Sequence, residues 1–445
     1  MLSAHAFRQF ISVGHLTLIA ADGRRREIHA SDHPRAVIRV RDPSRGYRIM
    51  LNPELAIGEG YMDGGLELEE GTTLYDFIDL CMANIDSVSH GPLHGFLALL
   101  RRMRAAVRNW NPVFLAKGKV SHHYDLSDAL FELFLDRDRQ YSCAYFLDPE
   151  DPLDTAQTNK KLHLAAKLLL RPGQRVLDIG SGWGGLGLFL ATMIDDLRVD
   201  GVTLSREQYA MSNRRAEQAG LADRVRFHLK DYREVDARYD RVVSVGMLEH
   251  VGPHHYGEFY GKVNDLLAED GVAVVHSIGV FREPLPQNDW MERYIFPGAY
   301  TPSLSQQFTE IERTRLYTTD LEILRRHYAE TLRHWRLNCA RERARIVAMY
   351  DERFYRMWEF YLTGCEIAFR RGYLMVFQAQ LAKDLDVVPQ TRDYIADFER
   401  RWRARGFANI RQVAGEGMPA KADPAPAAAE RVDRPGGHGG VAREG

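Results

Sequence analysis

The segment Asp178-Ile179-Gly180-Ser181-Gly182-Trp183-Gly184-Gly185 sets an acidic residue and alternate glycines at the end of a short apolar run, RVLDIG. Glycines at 180, 182 and 184 let the backbone turn sharply and come close to a ligand. The spacing is neither GxGxxG nor the Gly-Lys-Ser/Thr of a phosphate-binding loop, which argues against dinucleotides and triphosphates. The pattern DxGxGxG, with Asp178 at a strand end, is one that holds S-adenosylmethionine, and such a ligand lies across the carboxyl ends of parallel strands. The next apolar run ends in Val202-Thr203-Leu204-Ser205, with no carboxylate for a ribose. Ser205-x-x-Gln208 reads as a capping box. Thr203 through its backbone, Leu204 beside it, and Gln208 are expected to face the donor's ribose. Asp231 and Tyr232 follow the third run, where an adenine would stack. The fourth run ends in Val245-Gly246-Met247-Leu248-Glu249-His250. It lacks the Asn/Asp-Pro-Pro-Tyr/Phe turn that grips planar amines, which argues against a nucleobase or protein-glutamine methylase. His250 and His254 have a metal-like spacing of four, but Gly252 and Pro253 break the helix it would need. No metal is expected. Cys81, Cys143, Cys339 and Cys365 form no CxxC pair, so neither a zinc ribbon nor a redox dithiol is expected.

Positioning these residues calls for strands and helices in alternation from about Arg171. RVLDIG, RVDGVTLS, RVRFHLKD, YDRVVSVG and GVAVVHSIG read as five strands. GGLGLFLATMIDD, REQYAMSNRRAEQAG and HHYGEFYGKVNDLLAED read as helices between them. The pattern implies an α/β fold with a parallel, Rossmann-like sheet of the class I methyltransferase kind. Residues Thr319 to Arg405 read as helix-rich and supply helical insertions. Upstream, HLTLIAADGRRREI reads as a hairpin turning at Asp22-Gly23, with RAVIRVRD and GYRIMLN as further strands. Helical periodicity follows in LYDFIDLCMANI and LHGFLALLRRMRAAV. The expected division is a small α+β N-terminal domain over 1–110, a catalytic domain over 111–414 and a disordered tail over 415–445. The tail holds no aromatic residue and is rich in Ala, Pro and Gly.

The 445 residues carry 59 Lys plus Arg against 61 Asp plus Glu, a formal net charge of -2. That balance excludes a globally basic nucleic-acid binder. Apolar runs such as GVAVVHSIGVF fall far short of the ~20 residues a spanning helix needs. The N-terminal MLSAHAFRQFISVG lacks the apolar stretch of a signal peptide. A cytoplasmic protein without a spanning segment is expected.

Seven motifs in order resemble the cyclopropane-fatty-acyl-phospholipid synthases and the related mycolic acid cyclopropane synthases. The first is Tyr141-Ser142-Cys143-Ala144-Tyr145-Phe146, preceded by His123-Tyr124-Asp125-Leu126. The others are VLDIGSGWGG, GVTLSREQ, VSVGMLEHVG, VVHSIG, YIFPG and YLTGCEIAFR, and the match runs from about Val120 to Leu381. The β-rich N-terminal segment resembles the extra domain of the phospholipid-acting members. Ser181 departs from the Cys of many members, and both residues are small. The resemblance implies methyl transfer from S-adenosylmethionine to the double bond of an unsaturated phospholipid acyl chain. A carbocation forms, and a bicarbonate base takes a proton from the new methyl group so that the ring closes. The resemblance further implies Cys143, Glu249, His276, the backbone of Ile278 and Tyr328 as holders of that bicarbonate. It implies Tyr141 and Ser142 as donor contacts and Cys365 as a candidate catalytic cysteine. Plainer readings stand beside these. Glu249 and His250 could cap the helix near His254, His276 could be a core histidine, and Tyr328 could be helix packing. Cys365, among Leu362, Ile367 and Phe369, could be a packed thiol.

The motifs do not separate ring closure from a methyl-branched or methylene fatty acid, since the first step is shared. A small-molecule methyltransferase is a further alternative, and the N-terminal domain speaks for lipid. An acyl chain buried in a bilayer implies a peripheral protein at the inner face of the membrane. Residues 311–373 hold thirteen Arg and nine Asp/Glu with Trp335 and Trp358. That composition suits either anionic lipid headgroups or a salt-bridged helical face. A homodimer is implied by the resemblance alone.

Overall fold

Two sheets organise the chain in the computed structural model, which describes residues 7, 8, 10–42, 44–85, 126–284 and 287–406. His123-Tyr124-Asp125, the helix read over LHGFLALLRRMRAAV, the boundary at 110 and the tail 415–445 lie outside the described residues. The first sheet holds β1 (His15–Ala20), β2 (Arg25–His29), β3 (Arg35–Val40) and β4 (Leu66–Leu68), in the order β2-β1-β3-β4. β1 and β2 form the expected hairpin, with Gly23 at a φ of +81° in its turn. GYRIMLN is not a strand: Arg45–Leu51 is helical and leads into the helix Pro53–Met62. Its exposed apolar residues, Tyr47 and Leu51, stand four apart, which is a helical spacing.

The second sheet carries the site. β5 (Arg175–Ile179), β6 (Arg198–Thr203), β7 (Val225–Leu229), β8 (Tyr239–Val245) and β9 (Leu267–Val280) are the five expected strands and run parallel. Their apolar runs are nearly continuous because both faces are covered. Leu177 and Ile179 pack under the helices Tyr256–Leu266 and Leu304–Arg313. Val176 and Val199 pack on the other side, under Leu153–Lys167 and Gly185–Met193. β10 (Tyr317–Ile323) and β11 (Leu374–Ala382) extend the sheet antiparallel, giving the order β10-β11-β9-β8-β5-β6-β7. Both fall inside the stretch that reads as helix-rich. LMVFQAQLA is a short run buried almost throughout, and periodicity alone cannot tell such a strand from a buried helix.

The helices His327–Arg341 and Glu352–Arg370 pack on each other, and the latter also packs on the N-terminal helices Pro53–Met62 and Leu74–Ala83. Much of the Arg-rich stretch is spent here. Arg353 pairs with Asp63 at 2.8 Å and Arg371 with Asp79 at 2.7 Å. Arg336 and Arg370 both reach the buried Glu366, and Arg343 and Arg356 share Glu352. The salt-bridged reading accounts for these arginines. Among the described residues no helix is long and apolar enough to cross a membrane.

Candidate active site

The strand order reverses between β5 and β8, and there the loop after β5 opens a cavity of about 170 Å³ across the carboxyl ends of the strands. The loop is held down by the amides of Gly180 and Ser181, which both donate to the Val202 carbonyl at 3.0 Å. Tyr141, Ser142, Asp178, Gly180, Gly182, Thr203, Leu204, Gln208, Asp231 and Tyr232 all line the cavity. Ser205 caps the following helix, accepting from the Gln208 amide at 3.3 Å. The reciprocal half of the capping box is not made, because the Gln208 side chain instead accepts from the Thr203 hydroxyl at 2.8 Å. Asp231 is gripped by the Arg233 guanidinium at 2.8 and 2.9 Å.

Gly184 is the exception among the expected donor contacts: it is not part of the cavity lining. It sits in the left-handed region at φ +80°, where a Cβ would fall 2.7 Å from Phe227 and 2.8 Å from Ser212. Its freedom serves the packing of the helix Gly185–Met193. At Gly182, φ +54°, a Cβ would meet nothing within 4 Å. The two positions should therefore separate in the laboratory. Gly184→Ala is expected to cost about 2–5 kcal/mol of stability, overpacking added to the cost of the left-handed backbone, read by chemical denaturation. Gly182→Ala is expected to cost about 1–2 kcal/mol through backbone handedness alone, while weakening S-adenosylhomocysteine binding by calorimetry.

Asp178 lines the cavity at the end of β5. Its Oδ2 is buried with no hydrogen-bond partner, and burial pushes the carboxyl up to about 7 against the pull of Lys160. A carboxylate oxygen without a partner, beside a glycine turn and with Tyr232 in the same lining, fits a ligand with a cation at one end and an adenosine at the other. The cavity is also lined by Arg139, Lys230 and Met247, which the motif reading did not single out, and by His250, which it weighed only as a metal ligand or helix cap. Burial holds the His250 imidazole down to about 4.

A second cluster adjoins this cavity through Tyr141. Cys143, Ile278, Tyr328 and Cys365 pack into one aromatic core with Tyr141, Trp335, Tyr361 and Phe369. The Tyr328 phenol is driven well above its ordinary range by burial, with Tyr141, Cys143, Glu249 and Cys365 around it. Glu249 Oε1 accepts the Ile278 amide at 2.7 Å, while Oε2 is buried without a partner. Burial raises its carboxyl pKa. Glu249 does not cap the helix Tyr256–Leu266, whose N-cap is His255. The structure thus gathers Cys143, Glu249, Ile278, Tyr328 and Cys365.

His276 stands two residues before Ile278 on the same face of β9, in a more polar setting. Its Nδ1 lies 3.1 Å from the Gln378 amide nitrogen, and burial, then the charges of Lys160, Lys167 and His163, disfavour a proton on its ring. With the amide donating, the neutral ring carries its proton on Nε2, and burial keeps it neutral.

Burial pushes the Cys365 thiol up to about 12, so it is protonated at neutral pH and a poor nucleophile. Cys365→Ala is expected to retain activity within about threefold, because a protonated thiol supplies neither nucleophile nor base. A loss of a hundredfold or more in a turnover assay would return this thiol to catalysis.

Sequence reasoning also missed Gln157 and Lys160. The Gln157 side-chain amide donates to the carbonyls of Gln140 and Ser142 at 3.2 and 2.9 Å, clamping the loop that presents Cys143. The available signal was a polar face on a helix whose Ala and Leu residues mark it as buried.

A parallel sheet that reverses order at a DxGxGxG loop, with a donor cavity on that loop and an aromatic pocket beside it, is the build of a class I S-adenosylmethionine-dependent methyltransferase. The chain belongs to the mycolic acid cyclopropane synthetase family, whose sequence model matches residues 115–379. It is 35% identical over 353 residues to the cyclopropane-fatty-acyl-phospholipid synthase of Escherichia coli K12, covering 79% of this chain and 89% of that one. It is 40% identical over 271 residues to a "Probable fatty acid methyltransferase" of Pseudomonas putida, covering 59% of this chain and 68% of that one. Among solved structures it is similar to mycolic acid cyclopropane synthase CmaA1 complexed with SAH and CTAB. The TM-score is 0.57 at 33% identity, over 61% of this chain and 98% of that one.

Proposed function

We propose that this protein is a cyclopropane-fatty-acyl-phospholipid synthase, which adds a methylene unit from S-adenosylmethionine across the double bond of an unsaturated phospholipid acyl chain. The observation that carries this reading is Tyr141, which lines the donor cavity and also places its hydroxyl 2.9 Å from that of Tyr361, inside the pocket of Glu249, Cys143 and Tyr328. Asp178, Gly180, Gly182, Thr203, Leu204, Gln208, Asp231 and Tyr232 hold the donor. When bound, S-adenosylmethionine supplies an electrophilic methyl group.

The remaining work falls to the chain. Tyr141 stacks on Trp335 at 5.1 Å, Trp335 meets Tyr328 edge-on at 5.8 Å, and Tyr328 meets Phe369 at 4.8 Å. Such faces stabilise positive charge on carbon and keep water away from it. The unpartnered Oε2 of Glu249, the Nε2–H of His276, the Cys143 thiol and the Tyr328 phenol are the groups that would hold a bicarbonate, which supplies a base of matched strength. The Ile278 amide is already engaged by Glu249, so its part in that site runs through the Glu249 carboxyl.

The protein works as a peripheral membrane protein at the inner face, as a homodimer, with an accessory domain over 1–110 and a catalytic domain over 111–414. Sedimentation with anionic liposomes should weaken as salt rises. The direct test of the reaction is expression in a host without cyclopropanated lipids, followed by mass spectrometry of its fatty acids. A gain of one methylene unit with no added hydrogen, in a product whose fragmentation shows no remaining double bond, supports ring closure. The Pseudomonas relative favours a second reading, fatty-acid methylation, whose signature is a branched chain instead.

A further inference from the structure

Arg139 ends the turn before Tyr141, where its amide donates to the Asp136 carbonyl at 2.9 Å. It stands in the left-handed region at φ +56°, a conformation its surroundings must hold in place. The side chain is 12% exposed, and the residue lines the donor cavity. Its Nη2 pairs with Glu132 on the helix Asp128–Phe134. Its Nη1 lies 3.8 Å from Asp128 Oδ2, too far for a hydrogen bond, and is buried with no hydrogen-bond partner. The other oxygen of Asp128 accepts from the Trp183 indole at 3.0 Å. Trp183 belongs to the glycine loop and lines the same cavity, so Arg139 is tied to the glycine-loop side of it. The other Lys and Arg side chains in the lining, Lys230 and Arg233, flank Asp231 and Tyr232 instead, and Arg233 is spent on Asp231 at 2.8 and 2.9 Å. The cavity lining thus holds two residues with orphaned buried atoms of opposite charge, Arg139 Nη1 and Asp178 Oδ2. Each is costly to bury alone, and one zwitterion satisfies both.

We infer that Arg139 binds the α-carboxylate of the donor's amino-acid end, while Asp178 takes its ammonium. This inference rests on the donor-site reading above and adds to it a residue that selects for the amino-acid end. A guanidinium suits the task because its N–H groups form a planar fork. One nitrogen keeps Glu132 while another is offered to a second carboxylate. A lysine ammonium tied to Glu132 has no second nitrogen to offer. The side chains of Glu132 and Asp128 are 33% and 32% exposed, so solvent screens their repulsion of the ligand's carboxylate.

The test compares two ligands that share the adenosine and the thioether and differ in the amino-acid end alone, S-adenosylhomocysteine and 5′-methylthioadenosine. Calorimetry with the full chain should show S-adenosylhomocysteine bound more tightly, by about tenfold or more. Arg139→Met should weaken S-adenosylhomocysteine by about 10–100-fold, the range for losing a hydrogen bond to a charged group. It should change 5′-methylthioadenosine by less than about threefold. Met carries a Cβ as Arg does, so the cost of the left-handed backbone is the same and the comparison isolates the end of the side chain. In turnover the loss should appear as a raised KM for the donor with kcat nearly unchanged, the signature of uniform binding. If Arg139→Met fails to fold, Arg139→Lys, which keeps a cation for Glu132, should show the same selective loss. Equal effects on the two ligands, whether a loss or none, would reduce Arg139 to support of the turn and overturn the inference. Equal affinity of the unsubstituted chain for both ligands would overturn it as well. Binding of neither ligand by the unsubstituted chain would overturn the donor-site reading itself.

Discussion

Glu249→Gln is expected to lower turnover by about 10²–10⁴-fold, the range for disabling acid–base work in the transition state, because Glu249 orients the proposed base, while S-adenosylhomocysteine affinity changes by less than about threefold, since the substitution is isosteric and the site is separate. The geometry separates the two effects. Glu249 lies beyond the donor lining, with Oε1 on the Ile278 amide at 2.7 Å and Oε2 buried without a partner. The amide of Gln keeps an acceptor for Ile278 but turns an NH₂ group where a proton acceptor is needed. The loss should therefore sit in kcat. If donor affinity collapses with turnover, Glu249 belongs to the donor site instead. The measurements are steady-state kinetics on vesicles of unsaturated phospholipid and calorimetry with S-adenosylhomocysteine. Burial raises the Glu249 pKa, so the kcat profile of the unsubstituted enzyme should carry an acid limb above the ordinary carboxylate range, and Glu249→Gln should abolish that limb.

Trp335→Ala is expected to destabilise the protein by about 3–5 kcal/mol, the cost of emptying a fully buried aromatic site. Trp335 is fully enclosed and touches Tyr141, Tyr328 and Phe134 at ring separations of 5.1, 5.8 and 5.9 Å. It is the floor shared by the donor-side tyrosine and the pocket-side tyrosine. Turnover should fall with stability in Trp335→Ala, and Trp335→Phe should recover most of both. Urea denaturation followed by tyrosine and tryptophan fluorescence measures the first effect, and activity at 15 °C, where the variant remains folded, measures the second. A loss below about 1 kcal/mol would show that the pocket collapses around the vacancy and that Trp335 is not its floor.

The donor side of the site was legible in the chain because it is local. A strand, a glycine turn and a helix start occupy consecutive residues, and the same holds at Thr203 to Gln208 and at Asp231-Tyr232. Ten of the eleven expected donor contacts line one cavity. Gly184 reads the same as Gly182 in sequence, yet only tertiary contact with Phe227 and Ser212 gives it a packing role. The second cluster was less legible. Cys143, Glu249, Ile278, Tyr328 and Cys365 come from five separated elements, and a resemblance named them without showing how they meet. That the Ile278 amide is spent on Glu249 is a matter of one hydrogen bond across 29 positions of chain. β10 and β11 escaped because short buried runs carry no period, and the Arg-rich stretch was ambiguous because ion pairs such as Arg353–Asp63 span 290 residues.

By itself, then, the sequence determined the parallel sheet, the donor loop and the electrophilic chemistry, because strand alternation, glycine handedness and the DxGxGxG spacing act over a few residues each. Tertiary structure decided which buried groups lack partners, which cations are spent in ion pairs, and that a lysine inside a helix holds the signature loop through Gln140 and Ser142. Those are properties of desolvation and of the small distances between remote residues, and they arise only when the sheet, the helices and the signature loop close over one another.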